Sequence, residues 1–166
     1  MTLFLDADSI NSRSPYQVER IDDTSFHFST KEGLLYLVGF APDYSFADQG
    51  VYQFYLVEKD HRHGRHDADI MKTAIAVIEE FFQTAPNVML YVCDTSDNLH
   101  AVRNRLFAYW FKSYPHNSQY ILTTEDVVID NNRYYAGLML SKSHPQLGEV
   151  IQNFHNFVQS LPDKFK

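Results

Sequence analysis

The sequence has little cysteine, no excess of positive charge and no long hydrophobic run, and each of these shortages argues against a class of protein. A single cysteine among 166 residues, Cys93, cannot form an internal disulfide, which is typical of a reducing compartment and predicts a cytoplasmic protein. The net charge of -7 opposes binding to nucleic acid or to an anionic membrane surface. With no apolar run of membrane-spanning length and no visible signal peptide, the sequence predicts no association with membranes.

Aromatic residues, in contrast, are abundant: the chain has 13 Phe and 11 Tyr. These rings predict a core built on large side chains, or alternatively an aromatic-lined pocket. The length is typical of one domain with a substantial core. Residues 1–15 show little pattern and predict a flexible N-terminal segment, so that a single domain covers residues 16–166.

The stretch from Val88 to Phe111 organises the rest of the chain. Residues 88–92 form an apolar run with the length and composition of a strand. Residues 94–97 are all of types that accept hydrogen bonds from the free N–H groups at a helix start. From Leu99 onward the apolar residues recur at helical spacing. The stretch therefore predicts a buried strand, a capping turn and an amphipathic helix.

The remaining apolar patterns predict further strands and two further helices. Candidate strands cover residues 16–21, 26–28, 34–40, 51–57, 88–92, 120–129 and 133–140. One helix covers residues 67–83, and a C-terminal helix has Ser143 as its N-cap, with Gln146 completing a capping box. A right-handed crossover through the 67–83 helix makes its flanking strands parallel. The sequence thus predicts an α+β fold with a mixed, mostly antiparallel sheet of six or seven strands and three helices.

A histidine-rich loop precedes the 67–83 helix and offers metal ligands. His61, His63, His66 and Asp67 are donors of the types that bind zinc and related metals. Their spacing does not match a zinc-hydrolase motif. A solvated loop beside a helix start is the favoured interpretation, and a metal site is the alternative.

The same loop also offers groups for binding an anion. Gly64 lies between Arg62 and Arg65, and all three precede a helix N-terminus, whose free N–H groups and dipole favour phosphate. The loop has a single glycine, so the pattern is a weak indication of a cofactor site.

Arg103 lies inside the apolar stripe of the helix that starts near Leu99. A guanidinium on a buried face needs a partner, because an unpaired buried charge is costly. Asp94 and Asp97, at the head of the same helix, are the nearest candidates. Either these residues form a structural clamp, or Arg103 reaches an anionic ligand in the same cleft.

Cys93 lies where the predicted strand ends and the helix begins, a position that can activate a thiol. The neighbouring carboxylate of Asp94 acts in the opposite direction, and the sequence assigns no histidine partner. A structural cysteine is therefore favoured over a nucleophile.

Three segments of the sequence resemble a family of small bacterial proteins that is classed only as a domain of unknown function. They are Tyr-Val-Cys-Asp-Thr-Ser-Asp at residues 91–97, Arg-Asn-Arg-Leu-Phe at residues 103–107, and Trp-Phe at residues 110–111. The resemblance extends over residues 16–160 and implies no known activity.

The order of elements, β-β-β-α-β-α-β-β-α, resembles the fold of the GNAT-type N-acetyltransferases over residues 24–140. In active members of that family, a glycine-rich loop before the first helix binds the pyrophosphate of acetyl-CoA. The corresponding loop here is residues 61–66, which has one glycine and a histidine where a small residue is expected. Asn98 and Ala101 match the family's Asn-x-x-Ala, but Arg105 replaces its tyrosine acid.

The leading hypothesis for function is a non-catalytic, GNAT-like scaffold that binds a protein partner or a small ligand. Its cleft would lie between strands 51–57 and 88–92, with Cys93 at its end. Arg103, Asp94 and Asp97 would shape that cleft. Exposed aromatic residues are compatible with a homodimer.

Two alternatives remain. In an acyl-CoA-dependent N-acyltransferase, the loop at residues 61–66 would hold the pyrophosphate, and Tyr109 or Glu58 would transfer the proton. In a metal-binding protein, the donors would come from residues 61–67. The sequence leaves open whether the protein is an enzyme.

Overall fold

The computed structural model describes residues 3–60, 62, 65, 67–84, 86–93, 108–109, 111–112 and 117–164. Within those residues the chain forms seven strands, three α-helices and one 3-10 helix, Asn117–Gln119. The strands are β1 Glu19–Asp22, β2 Ser25–Ser29, β3 Leu35–Pro42, β4 Val51–Glu58, β5 Val88–Cys93, β6 Tyr120–Ile129 and β7 Asn132–Ser141. The α-helices are α1 Ala7–Asn11, α2 Ala68–Thr84 and α3 Leu147–Lys164.

The seven strands form one mixed sheet in the order β1-β2-β3-β4-β5-β7-β6. Strands β4 and β5, on either side of α2 in the sequence, pair in parallel, with Val51 opposite Val88 and Gln53 opposite Leu90. The pairs β1–β2, β2–β3, β5–β7 and β6–β7 are antiparallel. The predicted α+β class, the mixed sheet and the parallel pair flanking the helix are therefore confirmed.

The chain divides into two compact units, each with its own core. The first unit consists of Met1–Ala41 and Phe54–Ala85. Its core is built on phenylalanine rings: Phe40 stacks on Phe81 with ring centroids 4.1 Å apart and contacts Phe54 at 5.4 Å. Such ring pairs add to the free energy already gained from burying their area.

The N-terminal residues of the first unit differ from the expected flexible segment. Helix α1 is capped by Asp6, whose side chain accepts the Asp8 N–H at 2.9 Å, and Ile10 is completely buried. Arg13 joins this segment to α2 through Glu79 at 3.0 Å and Glu80 at 3.3 Å. A helix of five residues is too short to show helical periodicity, which explains why the sequence pattern did not reveal it.

The second unit consists of Pro42–Gln53 and Pro86–Lys166. Helix α3 packs on β6 and β7 and places Val150, Phe154 and Val158 in the core. The predicted cap is wrong, because the helix begins at Leu147. The Ser143 N–H instead donates to the Ser141 side chain at 3.1 Å and belongs to the preceding turn.

Strands β6 and β7 form a hairpin. Their register runs from Tyr120 opposite Ser141 to Ile129 opposite Asn132. Asp130 and Asn131 form the two-residue turn with positive φ angles of 53° and 67°, as a type I′ turn requires. Among the described residues, no helix is long and apolar enough to cross a membrane.

Candidate functional site

Several of the predicted site residues lie outside the described part of the chain. They are His61, His63, Gly64, His66, Asp94, Asp97 and Arg103. The backbone of Cys93 ends β5 and pairs with Tyr135 of β7. The predicted cleft with Arg103 and its two aspartates therefore stays a prediction, and so does the metal site on the histidines. Within the described residues, no group of three His, Cys, Asp or Glu side chains could hold a metal ion.

The C-terminal end of β4 places a buried carboxylate at the start of the loop that leads to α2. Only 5% of the Glu58 side chain is exposed, and its Oε2 atom accepts the Arg62 N–H at 2.5 Å. The Arg62 Nε atom lies 3.7 Å from Oε1, which is an ion pair beyond hydrogen-bond distance. Among the described residues, Oε1 has no hydrogen-bond partner. A buried carboxylate oxygen in that state is costly, which is typical of functional positions.

Asp67 occupies the N-cap position of α2. Its Oδ1 atom accepts the Asp69 N–H at 2.9 Å, and its carbonyl accepts the Ile70 N–H at 3.1 Å. Asp67 also accepts a hydrogen bond from the Tyr16 hydroxyl, whose oxygen in turn accepts the Lys31 N–H at 3.2 Å. Asp67 therefore joins the start of α2 to the N-terminal part of the first unit.

A stack of three aromatic rings lies beside these carboxylates. The rings of Tyr16 and Phe28 are 5.7 Å apart, and those of Phe28 and Tyr36 are 5.4 Å apart. Burial raises the pKa of Tyr36, and the negative charges of Glu58, Asp67 and Glu32 raise it further. The Tyr36 hydroxyl consequently stays protonated. We refer to Glu32, Glu58 and Asp67, whose charges act on this phenol, as the carboxylate corner.

Two backbone N–H groups of the loop between β4 and α2 donate to the carboxylate corner. The Arg62 N–H donates to Glu58, and the Arg65 N–H donates to Glu32 at 3.0 Å. The Arg62 side chain is 58% exposed and lies 3.8 Å from Asp60. These donors are the groups that a phosphate-binding loop would offer to its ligand. Here they already hold carboxylates.

Sequence reasoning identified Glu58, Arg62, Arg65 and Asp67, but it missed Glu32 and the tyrosines of the stack. The pairing of strands could have identified two of the stacked rings. Phe28 and Tyr36 are direct cross-strand partners in the β2–β3 pair. The register of that hairpin would have placed their rings side by side. Tyr16 reaches Asp67 across a long sequence separation, and no local pattern indicates that contact.

Replacing Glu58 with glutamine is expected to raise the free energy of unfolding by about 1 kcal/mol, because the amide removes a buried charge whose ion pair is weak. Urea denaturation of both proteins measures the difference. The control is Arg62→Ala, which should change stability by less than about 0.5 kcal/mol, because an exposed guanidinium contributes little. If the glutamine variant were less stable than the wild type, Glu58 would be a structural group and not a ligand-binding one.

A family model described as a family of unknown function (DUF6169) matches residues 66–156, which is more than half of the chain. No curated protein and no solved structure matches the chain. The matched residues include the start of α2, with Asp67, and most of the second unit.

Proposed function

Because the chain belongs to the family of unknown function DUF6169, whose name carries no activity, we propose its function from the carboxylate corner. The proposed function is binding: a GNAT-like scaffold holds a small cationic ligand at the corner and does not transfer acyl groups from acyl-CoA. The observation that carries this proposal is the buried Oε1 atom of Glu58, which has no hydrogen-bond partner among the described residues.

The charges around Tyr36 support a cationic ligand. Three carboxylates act together on this phenol, so the field at the corner favours a positive group. Tyr16 and Tyr36, the partly exposed outer rings of the stack, supply aromatic surface of the kind that contacts organic cations. An ammonium or guanidinium group would give Glu58 the charged hydrogen bond that it lacks.

Arg62 would act as the resident cation that the ligand replaces. Its guanidinium lies 3.7 Å from Glu58 Oε1 and is more than half exposed, so it can turn into solvent at little cost. The ligand would then satisfy the buried oxygen directly, while the Arg62 N–H keeps its bond to Oε2.

The same contacts argue against acetyl-CoA as a cofactor. A pyrophosphate needs backbone N–H groups and positive charge. The N–H groups of Arg62 and Arg65 donate to Glu58 and Glu32, and a pyrophosphate would have to displace both carboxylates and then lie beside them. The negative charges of a pyrophosphate and of the two carboxylates would repel each other. The acyltransferase hypothesis therefore has less support than binding of a cation.

Calorimetric titration tests the proposal. At low ionic strength, n-butylammonium and n-butylguanidinium are expected to bind with dissociation constants of about 1 mM, which is well within the affinity that ligands of so few atoms can reach. Uncharged 1-butanol, of the same length as n-butylammonium, and acetyl-CoA should give no heat of binding. Glu58→Gln should weaken binding of the cations at least tenfold, whereas Glu149→Gln, an exposed acid on α3, should not change it.

Two results would reject the proposal. Cation binding that is equal in wild type and Glu58→Gln would remove Glu58 as the recognition group. Micromolar binding of acetyl-CoA, weakened by Arg62→Ala or Arg65→Ala, would instead establish the acyltransferase hypothesis and justify a search for the acceptor.

We also propose a cellular location for the protein and a charge for its partners. A single cysteine supports a reducing, cytoplasmic location, and the net charge of -7 supports cationic rather than nucleic-acid partners. A protein partner would present the same chemistry through a lysine or arginine side chain. We also propose that the protein comes from a bacterium and forms a homodimer. A metal bound by the histidine-rich loop is a further proposal.

A further inference from the structure

The second unit holds a chain of three polar side chains between β6 and α3. The Thr123 Oγ1 atom lies 3.3 Å from His155 Nε2, and His155 Nδ1 is hydrogen-bonded to Glu125. The side chains of His155 and Glu125 are 26% and 27% exposed, so solvent and small molecules reach them. None of these residues belongs to the carboxylate corner.

Secondary structure explains why the three side chains meet. Thr123 and Glu125 are two residues apart on β6 and therefore point to the same face of the sheet, which α3 covers. His155 follows Phe154, which is fully buried and fixes this turn of the helix against the sheet. The imidazole consequently lies between the two β6 side chains.

The hydrogen bonds assign a role to each ring nitrogen. Glu125 is a carboxylate that only accepts, so Nδ1 carries the proton and donates to it. Nε2 then has a free lone pair in the neutral ring and accepts the Thr123 hydroxyl proton. A hydroxyl, a base and a carboxylate that orients the base are the arrangement that activates a nucleophile in acyl transfer.

The hairpin register supplies a backbone donor beside the hydroxyl. Ile129 and Asn132 close the two-residue turn, so the hydrogen-bonded pairs of the ladder include Glu125–Ala136 and Thr123–Leu138. The N–H of Thr124 is directed away from β7, toward the outer edge of the sheet, because β6 is the last strand in its order. A donor one residue after the nucleophile can stabilise an oxyanion.

We propose that Thr123, His155 and Glu125 form a site that cleaves small carboxylic esters through an acyl-threonine. Thr123 Oγ1 forms a bond to the ester carbonyl carbon while its proton passes to His155 Nε2. The ester C–O bond then breaks, and the leaving alkoxide takes that proton. Water attacks the acyl-threonine with His155 again accepting a proton, which it returns to Thr123 as the carboxylic acid departs.

The roles in this reaction differ between the three residues. Thr123 and His155 are catalytic because they exchange atoms or protons with the ester. Glu125 is a positioning residue, because it acts only through the His155 ring. This proposal goes beyond ligand binding at the carboxylate corner and does not depend on it.

The test uses p-nitrophenyl acetate with the full-length protein. Wild type should release a burst of p-nitrophenol that equals the amount of protein, and the trapped intermediate should carry one acetyl group on Thr123 in a peptide map. Thr123→Val and His155→Gln should lower the acylation rate by about 100-fold or more. Glu125→Gln should lower kcat with KM unchanged, because it disturbs the base and not the binding of the ester.

Asp126→Asn provides the matched control for Glu125→Gln, since Asp126 is the adjacent acid and lies on the opposite, exposed face of β6. It should react as fast as wild type. A thermal stability of Thr123→Val equal to that of wild type separates loss of activity from loss of fold. Acetylation that maps to another residue, or a rate unchanged in Thr123→Val, would overturn the proposal.

Discussion

Replacing Phe81 with alanine is expected to lower the free energy of unfolding by about 4 kcal/mol. Phe81 is completely buried in α2, and its ring stacks on Phe40 at a centroid distance of 4.1 Å with the planes only 8° apart. Alanine removes the ring and leaves a cavity that the sheet and the helix cannot both close. The cost therefore includes the lost burial, the lost ring contact and the cavity.

The adjacent phenylalanine makes this prediction specific. Phe82 contacts the Phe81 ring edge-on at 4.9 Å but is only half-buried. Phe82→Ala should lower the free energy of unfolding by about 1.5 kcal/mol, because folding removes less apolar area of Phe82 than of Phe81 from water. Urea denaturation of both variants measures the two values. Equal losses for the two variants would show that Phe81 does not hold the core position assigned to it.

Gly39→Ala is expected to cost about 3 kcal/mol, at the upper end for overpacking. Gly39 lies in β3 opposite Ser25 of β2. A Cβ atom at this position would lie 2.5 Å from the Thr24 carbonyl oxygen and 2.7 Å from the Ser25 Cα. These obstacles are backbone atoms of a paired strand, so relief requires the strands to move apart. Flexible side chains would have given way at lower cost.

Gly148 is the control for this change, because a Cβ there meets no atom within 4 Å. It lies in the first turn of α3, where alanine is the better helix former. Gly148→Ala should therefore raise the free energy of unfolding by about 0.5 kcal/mol. The same chemical change is thus expected to have opposite signs at two positions. Thermal denaturation showing a loss at Gly148, or none at Gly39, would contradict the assigned packing.

Much of the fold follows from the sequence because its signals are local. The helical spacing from Ile70 to Phe81 and the strands that flank it predict the parallel β4–β5 pair through the handedness of the crossover. Residues 130–132 similarly predict the β6–β7 hairpin, because those residue types tolerate positive φ angles. Each conclusion needs only a few adjacent residues.

The errors arise where tertiary contacts decide the structure. Residues 3–15 are held by buried Leu5 and Ile10 and by the Arg13 ion pairs to α2, and none of these contacts has a sequence period. The expected cap at Ser143 failed because a turn closed by the Ser141 side chain competes for the same residue.

The candidate site was only partly predictable for the same reason. Asp67 and Glu58 could be identified because they border a helix and a strand. The Tyr16 contact to Asp67 and the influence of Glu32 on Tyr36 depend on the fold of the whole first unit. The Thr123–His155 contact likewise joins a strand to a helix that follows much later in the chain.

The position of β5 has a consequence for synthesis of the chain. Its neighbours in the sheet are β4, which precedes it, and β7, which comes near the end of the sequence. Pairing Val51 with Val88 already closes a loop of roughly forty residues, a costly step for a nascent chain. The second edge of β5 then stays unpaired until the ribosome has made β7. The apolar residues of β5 are therefore exposed to chaperones and to other nascent chains until residues 132–141 have been made.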